Sequence, residues 1–222
     1  MTWIMGFDPS KYTGYGIYSP QERRKDGNCS HVKCGVLEVP DKADHYFTGD
    51  QISCKVQKLI IDHQAAFGSI PDFAVLEEAA LANIGGTSAD AMIYAWISAT
   101  AIVGVLANWG IPYATIHPNT WRAMFFPNGF KPPQKPVKKK GEQVLDRYGK
   151  PKFKNDWKTP AIREVERLGV KLPTTKALAD DAAEAVAIAT CWESNELKFH
   201  AKRYHQPWVD LRVQRNERSV AA

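Results

Sequence analysis

The segment Trp3-Ile4-Met5-Gly6-Phe7-Asp8-Pro9-Ser10 combines the strand pattern and the acidic residue that decide the fold. Successive side chains of a strand point to opposite faces, so the apolar Trp3 and Phe7 face one way and Asp8 faces the other. Gly6 is expected to leave open space on the face that carries Asp8. A carboxylate at the end of a buried strand is costly to desolvate unless something neutralises it, and divalent cations with oxygen ligands often do. The segment therefore predicts a central strand that ends at a metal-binding acid.

Further acids end other apolar segments of the chain. Glu77 closes the strand-like segment 72–76, and Asp181 and Glu184 lie three residues apart in an alanine-rich helical segment. Residues three apart on a helix share a face. The sequence thus predicts four converging metal ligands, which are Asp8, Glu77, Asp181 and Glu184.

Two neighbouring acids are alternatives to these ligands. Asp180 is the alternative to Asp181, although its position favours capping the last helix. Glu78 alternates to the face opposite Glu77 and is expected in solvent.

The order of predicted elements indicates an α/β protein. Strands are predicted at 3–8, 13–18, 32–39, 72–76 and 112–116, and helices at 51–67, 88–109, 118–126, 159–168 and 179–192. Thr87 or Ser88 is the expected N-cap of the second helix. Three antiparallel strands followed by alternating helices and strands resemble the ribonuclease H-like fold, with a mixed five-stranded sheet flanked by helices.

Positive charge is concentrated in one part of the chain. The 222 residues carry a formal net charge of +5, whereas residues 131–158 hold ten Lys or Arg against three acids. The proline- and lysine-rich composition of residues 127–157 predicts a mobile basic insertion. The predicted domain spans residues 1–195, and a basic tail follows at 196–222. Interleaved aromatic residues favour DNA contact by Lys138, Lys139 and Lys140 over a merely solvated loop.

The remaining composition bears on location. The four cysteines form no CxxC pair, which favours free thiols in a reducing compartment. No secretory leader pattern is present, so a cytoplasmic protein is predicted. The uncharged segment Ala91–Gly110 approaches membrane-spanning length, but its polar residues and its place between two strands favour a buried helix at a domain or dimer interface. No membrane association is expected.

Several motifs together resemble RuvC-type Holliday junction resolvases. Gly6-Phe7-Asp8-Pro9-Ser10 followed by Thr13-Gly14-Tyr15-Gly16 is similar to the opening of that family, and Val75-Leu76-Glu77 to its second acidic strand. Residues 181–189, DAAEAVAIA, resemble its final helix. Residues 116–122, IHPNTWR, are similar to the segment after its fifth strand, and Lys158 resembles a lysine at the start of the next helix. The resemblance covers most of residues 3–192.

The resemblance implies a function and its requirements. It implies Mg²⁺ or Mn²⁺, with two ions per active site, a homodimer, and paired nicks across a four-way DNA junction. It also implies that Arg122 and Lys158 bind DNA and that Lys158 takes part in catalysis. Compact relatives of this kind occur in phages and prophages, so the chain is expected to act in a bacterial host's cytoplasm if it is phage-encoded. Glu184 departs from the family pattern, which usually has Asp there.

The predicted chemistry is hydrolysis of a phosphodiester. Two metal ions about 4 Å apart activate a water and neutralise charge on the attacking and leaving oxygens, and converging carboxylates hold them. The leading interpretation is a metal-dependent endonuclease that resolves Holliday junctions or other branched DNA. The alternatives are a less selective flap or fork nuclease, an RNase H-like RNA hydrolase, and a non-catalytic protein that binds DNA junctions.

Overall fold

A computed structural model describes residues 2–79, 88–139, 141–145 and 148–197, with backbone alone for residues 139 and 192–197. One five-stranded sheet forms its centre, in the order β3-β2-β1-β4-β5. The strands are β1 (Ile4–Asp8), β2 (Thr13–Tyr18), β3 (Lys33–Leu37), β4 (Phe73–Glu77) and β5 (Tyr113–Ile116). The helices are α1 (His45–Phe67), α2 (Ala89–Asn108), α3 (Pro118–Phe125), α4 (Lys158–Arg167) and α5 (Lys176–Leu197). The predicted order of elements is confirmed.

The sheet is mixed, as predicted. β1, β2 and β3 form an antiparallel meander, whereas β4 runs parallel to β1 and β5 runs parallel to β4. Phe7 pairs in register with Leu76, so the next residues, Asp8 and Glu77, end neighbouring strands at the same edge. Parallel strands present their carboxyl ends together, and this register places two of the predicted ligands side by side.

The two faces of the sheet are covered by different helices. Met5, Phe7 and the other residues of their face pack against α1 and α2, where Ile52 and Ile102 are fully buried. Ile4 and its face pack against α3, α4 and α5. The alternation predicted for residues 3–8 is therefore confirmed, and Asp8 lies on the α5 side.

The space beside Gly6 is filled by α5. A Cβ atom at Gly6 would collide with the carbonyl oxygen of Ala185, and one at Gly14 with that of Asp181. Only glycine lets the helix backbone come this close to the strands. The expected open space is therefore wrong, and the glycines instead bring α5 over the end of β1.

Helix ends differ from the predictions where a cap was overlooked. α1 begins at His45, before the predicted residue 51, because the Asp44 carboxylate accepts a hydrogen bond from the Phe47 backbone N–H at 2.7 Å. Ser88 caps α2 as expected, through a 3.2 Å bond from the Ala91 N–H. Thr87, the other candidate cap, lies outside the described residues.

Helix α2 is long and apolar enough to cross a membrane by length and composition, a test that core helices of soluble proteins also pass. It buries Ser98, Ile102, Val105 and Leu106 on one face. Its other face exposes Ile93 and Trp96, and only 22% of its most apolar 18-residue stretch is buried. One face is thus in the core, as predicted, and dimer contact by the other stays a prediction.

The basic insertion contains regular structure. Strand β6 (Gln134–Pro136) pairs with β9 (Phe153–Asn155), and β7 (Lys138–Lys139) pairs with β8 (Glu142–Gln143). The segment thus forms short paired strands, and its mobility stays a prediction. Strands of two or three residues are too short to give a periodic signal.

Candidate active site

Three of the four predicted ligands form a tight carboxylate group. Asp8 at the end of β1, and Asp181 and Glu184 one turn apart on α5, each place an oxygen within 4.8 Å of those of the other two. Glu184 is 6% exposed, so the group is largely shielded from water. Three oxygen ligands in this arrangement are suited to a hard divalent cation.

The fourth predicted ligand, Glu77, lies beside the group with a different partner. Its Oε2 accepts a 2.6 Å hydrogen bond from the indole Nε1–H of Trp121. Trp121 is fully buried on α3, and a buried indole N–H needs an acceptor. Among the described residues, the tight group therefore contains Asp8, Asp181 and Glu184, and a metal-binding role for Glu77 stays a prediction. Trp121 was not among the predicted site residues, although its position directly before the predicted DNA-binding residue Arg122 was a usable signal.

Two cations border the carboxylates. Lys158, the first residue of α4, places Nζ 2.6 Å from Asp181 Oδ1 and 3.7 Å from Glu184 Oε2. Arg122 on α3 places Nη2 3.6 Å from Glu184 Oε1. The structure thus brings both predicted basic residues to the acidic group, where they partly offset its charge.

The fold still leaves negative charge uncompensated. Burial raises the pKa of Asp8 well above its usual range, and the carboxylates of Glu184, Glu77 and Asp181 raise it further. Burial also raises the pKa of Glu184 to about 7, although Lys158 and Arg122 oppose this rise. A bound cation would favour the ionised forms of both acids.

Burial and neighbouring charges also shift the pKa values of Glu77 and Lys158. Burial raises the pKa of Glu77, and the hydrogen bond from Trp121 limits this rise. Burial alone would lower the pKa of Lys158, but the carboxylates of Glu184 and Asp181 outweigh it and raise the pKa. Lys158 therefore stays protonated and able to hold a phosphate oxygen.

The neighbouring acids occupy other positions. Asp180 does not cap α5, because the helix begins at Lys176 and Asp180 lies within it. The capping prediction is therefore wrong. Glu78 is exposed, as expected. His117 caps α3, its Nδ1 accepting from the Asn119 N–H at 3.2 Å, which agrees with a structural role.

Two of the three lysines predicted to contact DNA lie in strand β7 of the insertion. Lys138 is exposed in β7, opposite Gln143 of β8. Lys139 pairs with Glu142 through its backbone, and Lys140 lies outside the described residues. DNA contact by these three residues stays a prediction.

Solved structures of Holliday junction resolvases are similar to this chain. "T. thermophilus RuvC in complex with Holliday junction substrate" matches with a TM-score of 0.55 and 13% identity, covering 88% of this chain and 95% of that chain. A second Thermus thermophilus RuvC structure matches with a TM-score of 0.51 and 14% identity over the same shares. The yeast mitochondrial Holliday junction resolvase Ydc2 matches at 0.47 and 11%, covering 100% of this chain and 85% of that chain. No family model and no curated protein sequence matches the chain.

The fold is therefore that of RuvC, the ribonuclease H-like α/β architecture that the sequence predicts. At these identities the likeness establishes the fold and leaves the chemistry to be argued from the side chains.

Proposed function

We propose that this protein is a divalent-metal-dependent endonuclease that resolves Holliday junctions or related branched DNA as a homodimer. The observation that carries the proposal is the tight group of Asp8, Asp181 and Glu184, bordered by Lys158 and Arg122. The similarity to a solved RuvC structure in complex with a Holliday junction substrate supports branched DNA as the substrate.

The carboxylates fit Mg²⁺ or Mn²⁺. All donors are oxygens, and burial raises the pKa values of Asp8 and Glu184, so a cation at these carboxylates would favour their ionised forms. Asp8, Asp181, Glu184 and Glu77 would hold two ions. When bound, such ions supply an activated water and stabilise charge on the leaving oxygen.

The cations have a separate task in this proposal. Lys158 lies 2.6 Å from Asp181 and Arg122 lies 3.6 Å from Glu184, so both donors border the carboxylates. From these positions both side chains would hold oxygens of the scissile phosphate. Arg122 is only 20% exposed and stands over the rings of Trp121 and Trp157, so its guanidinium is fixed in orientation. A fixed donor is effective in stabilising charge that develops during the reaction.

The exposed face of α2 supports the dimer. Ile93 is 43% exposed and Trp96 is 41% exposed, although both belong to a strongly apolar helix. Large exposed apolar side chains on one face are typical of interaction surfaces. Two active sites in one particle would allow paired nicks on opposite strands.

A cleavage assay across substrates tests the proposal. We expect Mg²⁺- or Mn²⁺-dependent cutting of a four-way junction, with much less cutting of a linear duplex or an RNA–DNA hybrid. A supercoiled plasmid with a cruciform reports pairing of the nicks, because paired nicks give linear product and single nicks give open circles. Preferred cutting of flaps, forks or hybrids would assign another substrate, and junction binding without cutting would assign a non-catalytic role.

A further inference from the structure

A cavity lies next to the candidate active site, and Arg122 is one of its lining residues. It has a volume of about 320 Å³, close to the lower end of the range that holds small ligands. We call it the aromatic pocket, and its principal lining residues are Asn119, Arg122, Phe126, Asn128, Phe130 and Trp157. Phe130 and Trp157 belong to the basic insertion, so its first and last parts close together around the pocket.

The walls of the aromatic pocket offer flat ring faces. The rings of Phe126 and Phe130 stack with centroids 4.5 Å apart and an angle of 12° between them. Trp157 lies 5.6 Å from Phe126 and 6.0 Å from Phe130. Phe126 is buried, whereas Phe130 and Trp157 are partly exposed at the pocket. Such platforms bind unstacked bases of any sequence, because every base has a π-face.

Two residues join the pocket to the candidate active site. The guanidinium of Arg122 lies 5.2 Å from the Trp157 ring centroid and also reaches Glu184 at 3.6 Å. Trp157 directly precedes Lys158, whose Nζ is 2.6 Å from Asp181. A phosphate held at the carboxylates would therefore belong to the same stretch of nucleotides as a base in the pocket.

The rim carries groups that distinguish one base from another. The side chains of Asn119 and Asn128 are exposed at the pocket, and a carboxamide presents a donor and an acceptor together. That pair matches the hydrogen-bonding edges of bases. The Nε–H of Arg122 is buried and has no hydrogen-bond acceptor among the residues the structure describes.

We propose that the aromatic pocket binds an unstacked nucleobase next to the scissile phosphate and sets the base preference of cleavage. This inference rests on the proposed function. Taking a base out of a duplex costs a few kcal/mol, and the cost is smallest where the base is already unpaired. The pocket would therefore also favour branch points over linear duplex.

Binding to junctions with single abasic nucleotides tests the pocket. The full chain is assayed in EDTA on four-way junctions in which each nucleotide near the cleaved bond is made abasic in turn. We expect one position at which removal of the base weakens binding roughly ten-fold, as stacked bases usually do. Trp157→Ala should weaken binding to the intact junction by a similar factor and remove the sensitivity at that position. Phe47→Ala, which removes an exposed ring on α1 across the sheet, should leave the sensitivity in place.

The carboxamides provide a second readout if Trp157→Ala does not fold. The double variant Asn119→Ala/Asn128→Ala should cleave with a weaker base preference than the wild type. Its affinity for the junction that is abasic at the sensitive position should be unchanged. An unchanged base preference in this double variant, or an abasic sensitivity that persists in folded Trp157→Ala, would overturn the pocket proposal. If the wild-type protein cuts junctions but no abasic position weakens its binding, only the pocket proposal is overturned. If the wild-type protein cuts no branched DNA, the proposed function is overturned.

Discussion

Replacing Glu184 by Gln should stabilise the metal-free protein while destroying its activity. In the folded protein, burial raises the pKa of this carboxyl from the usual 4.5 to about 7. Between these values the folded chain retains a proton that the unfolded chain has released, so stability falls as the pH rises through this range. The shift corresponds to about 3 kcal/mol at pH 8 and to about 1 kcal/mol at pH 5. Gln is neutral throughout and avoids this cost.

Chemical or thermal unfolding in EDTA measures the difference. At pH 8 the Glu184→Gln variant should unfold at a temperature roughly 6 to 12 °C above that of the wild type, and at pH 5 the gap should shrink. Mg²⁺ at a hundred times its Kd should add about 2.7 kcal/mol to the wild type and much less to the variant. The variant should not nick a junction.

A matched substitution isolates the effect of burial. Glu164 pairs with Arg167 at 2.8 Å on the exposed side of α4, and both side chains are substantially solvated. Glu164→Gln should change the free energy of unfolding by less than about 0.5 kcal/mol. If Glu184→Gln were no more stable than the wild type in EDTA at pH 8, the claim that burial leaves this charge uncompensated would be refuted.

Four further predictions address the site and the DNA surface. Asp8→Asn should abolish nicking in Mg²⁺ while junction binding persists in a gel-shift assay, and normal nicking would contradict the ligand assignment. Asp181→Asn should reduce turnover far more than Asp180→Asn, and equal reductions would show that the ligand is misplaced. Trp121→Phe removes the indole N–H that donates to Glu77 at the end of β4. This variant should have a kcat at least several-fold lower, with little change in junction affinity. Replacing Lys138–Lys140 by Ala should weaken binding to all DNA sequences and reduce the salt dependence by roughly one unit of slope for each phosphate that these lysines neutralise, with turnover at saturating DNA nearly unchanged.

The elements of the fold could be predicted because each leaves a periodic signal in its own segment. Alternating apolar residues predicted β1, and the buried run before Glu77 predicted β4. Their ends were less predictable, since a cap such as Asp44 extends a helix beyond the first periodic residue. The short strands of the insertion leave no such signal, because two or three residues are too few to show an alternation.

The sequence by itself determined which residue types supply the candidate chemistry. Asp8 ends a buried strand, and Asp181 and Glu184 share one helix face, whatever surrounds them. Tertiary structure decided which of the acids meet. The glycines of β1 and β2 let α5 approach the sheet, and Trp121 turns the Glu77 carboxylate toward its indole. The aromatic pocket likewise exists only because the two parts of the insertion close beside α3. Local periodicity reports which face of an element is buried, whereas contacts between elements depend on packing across the whole domain.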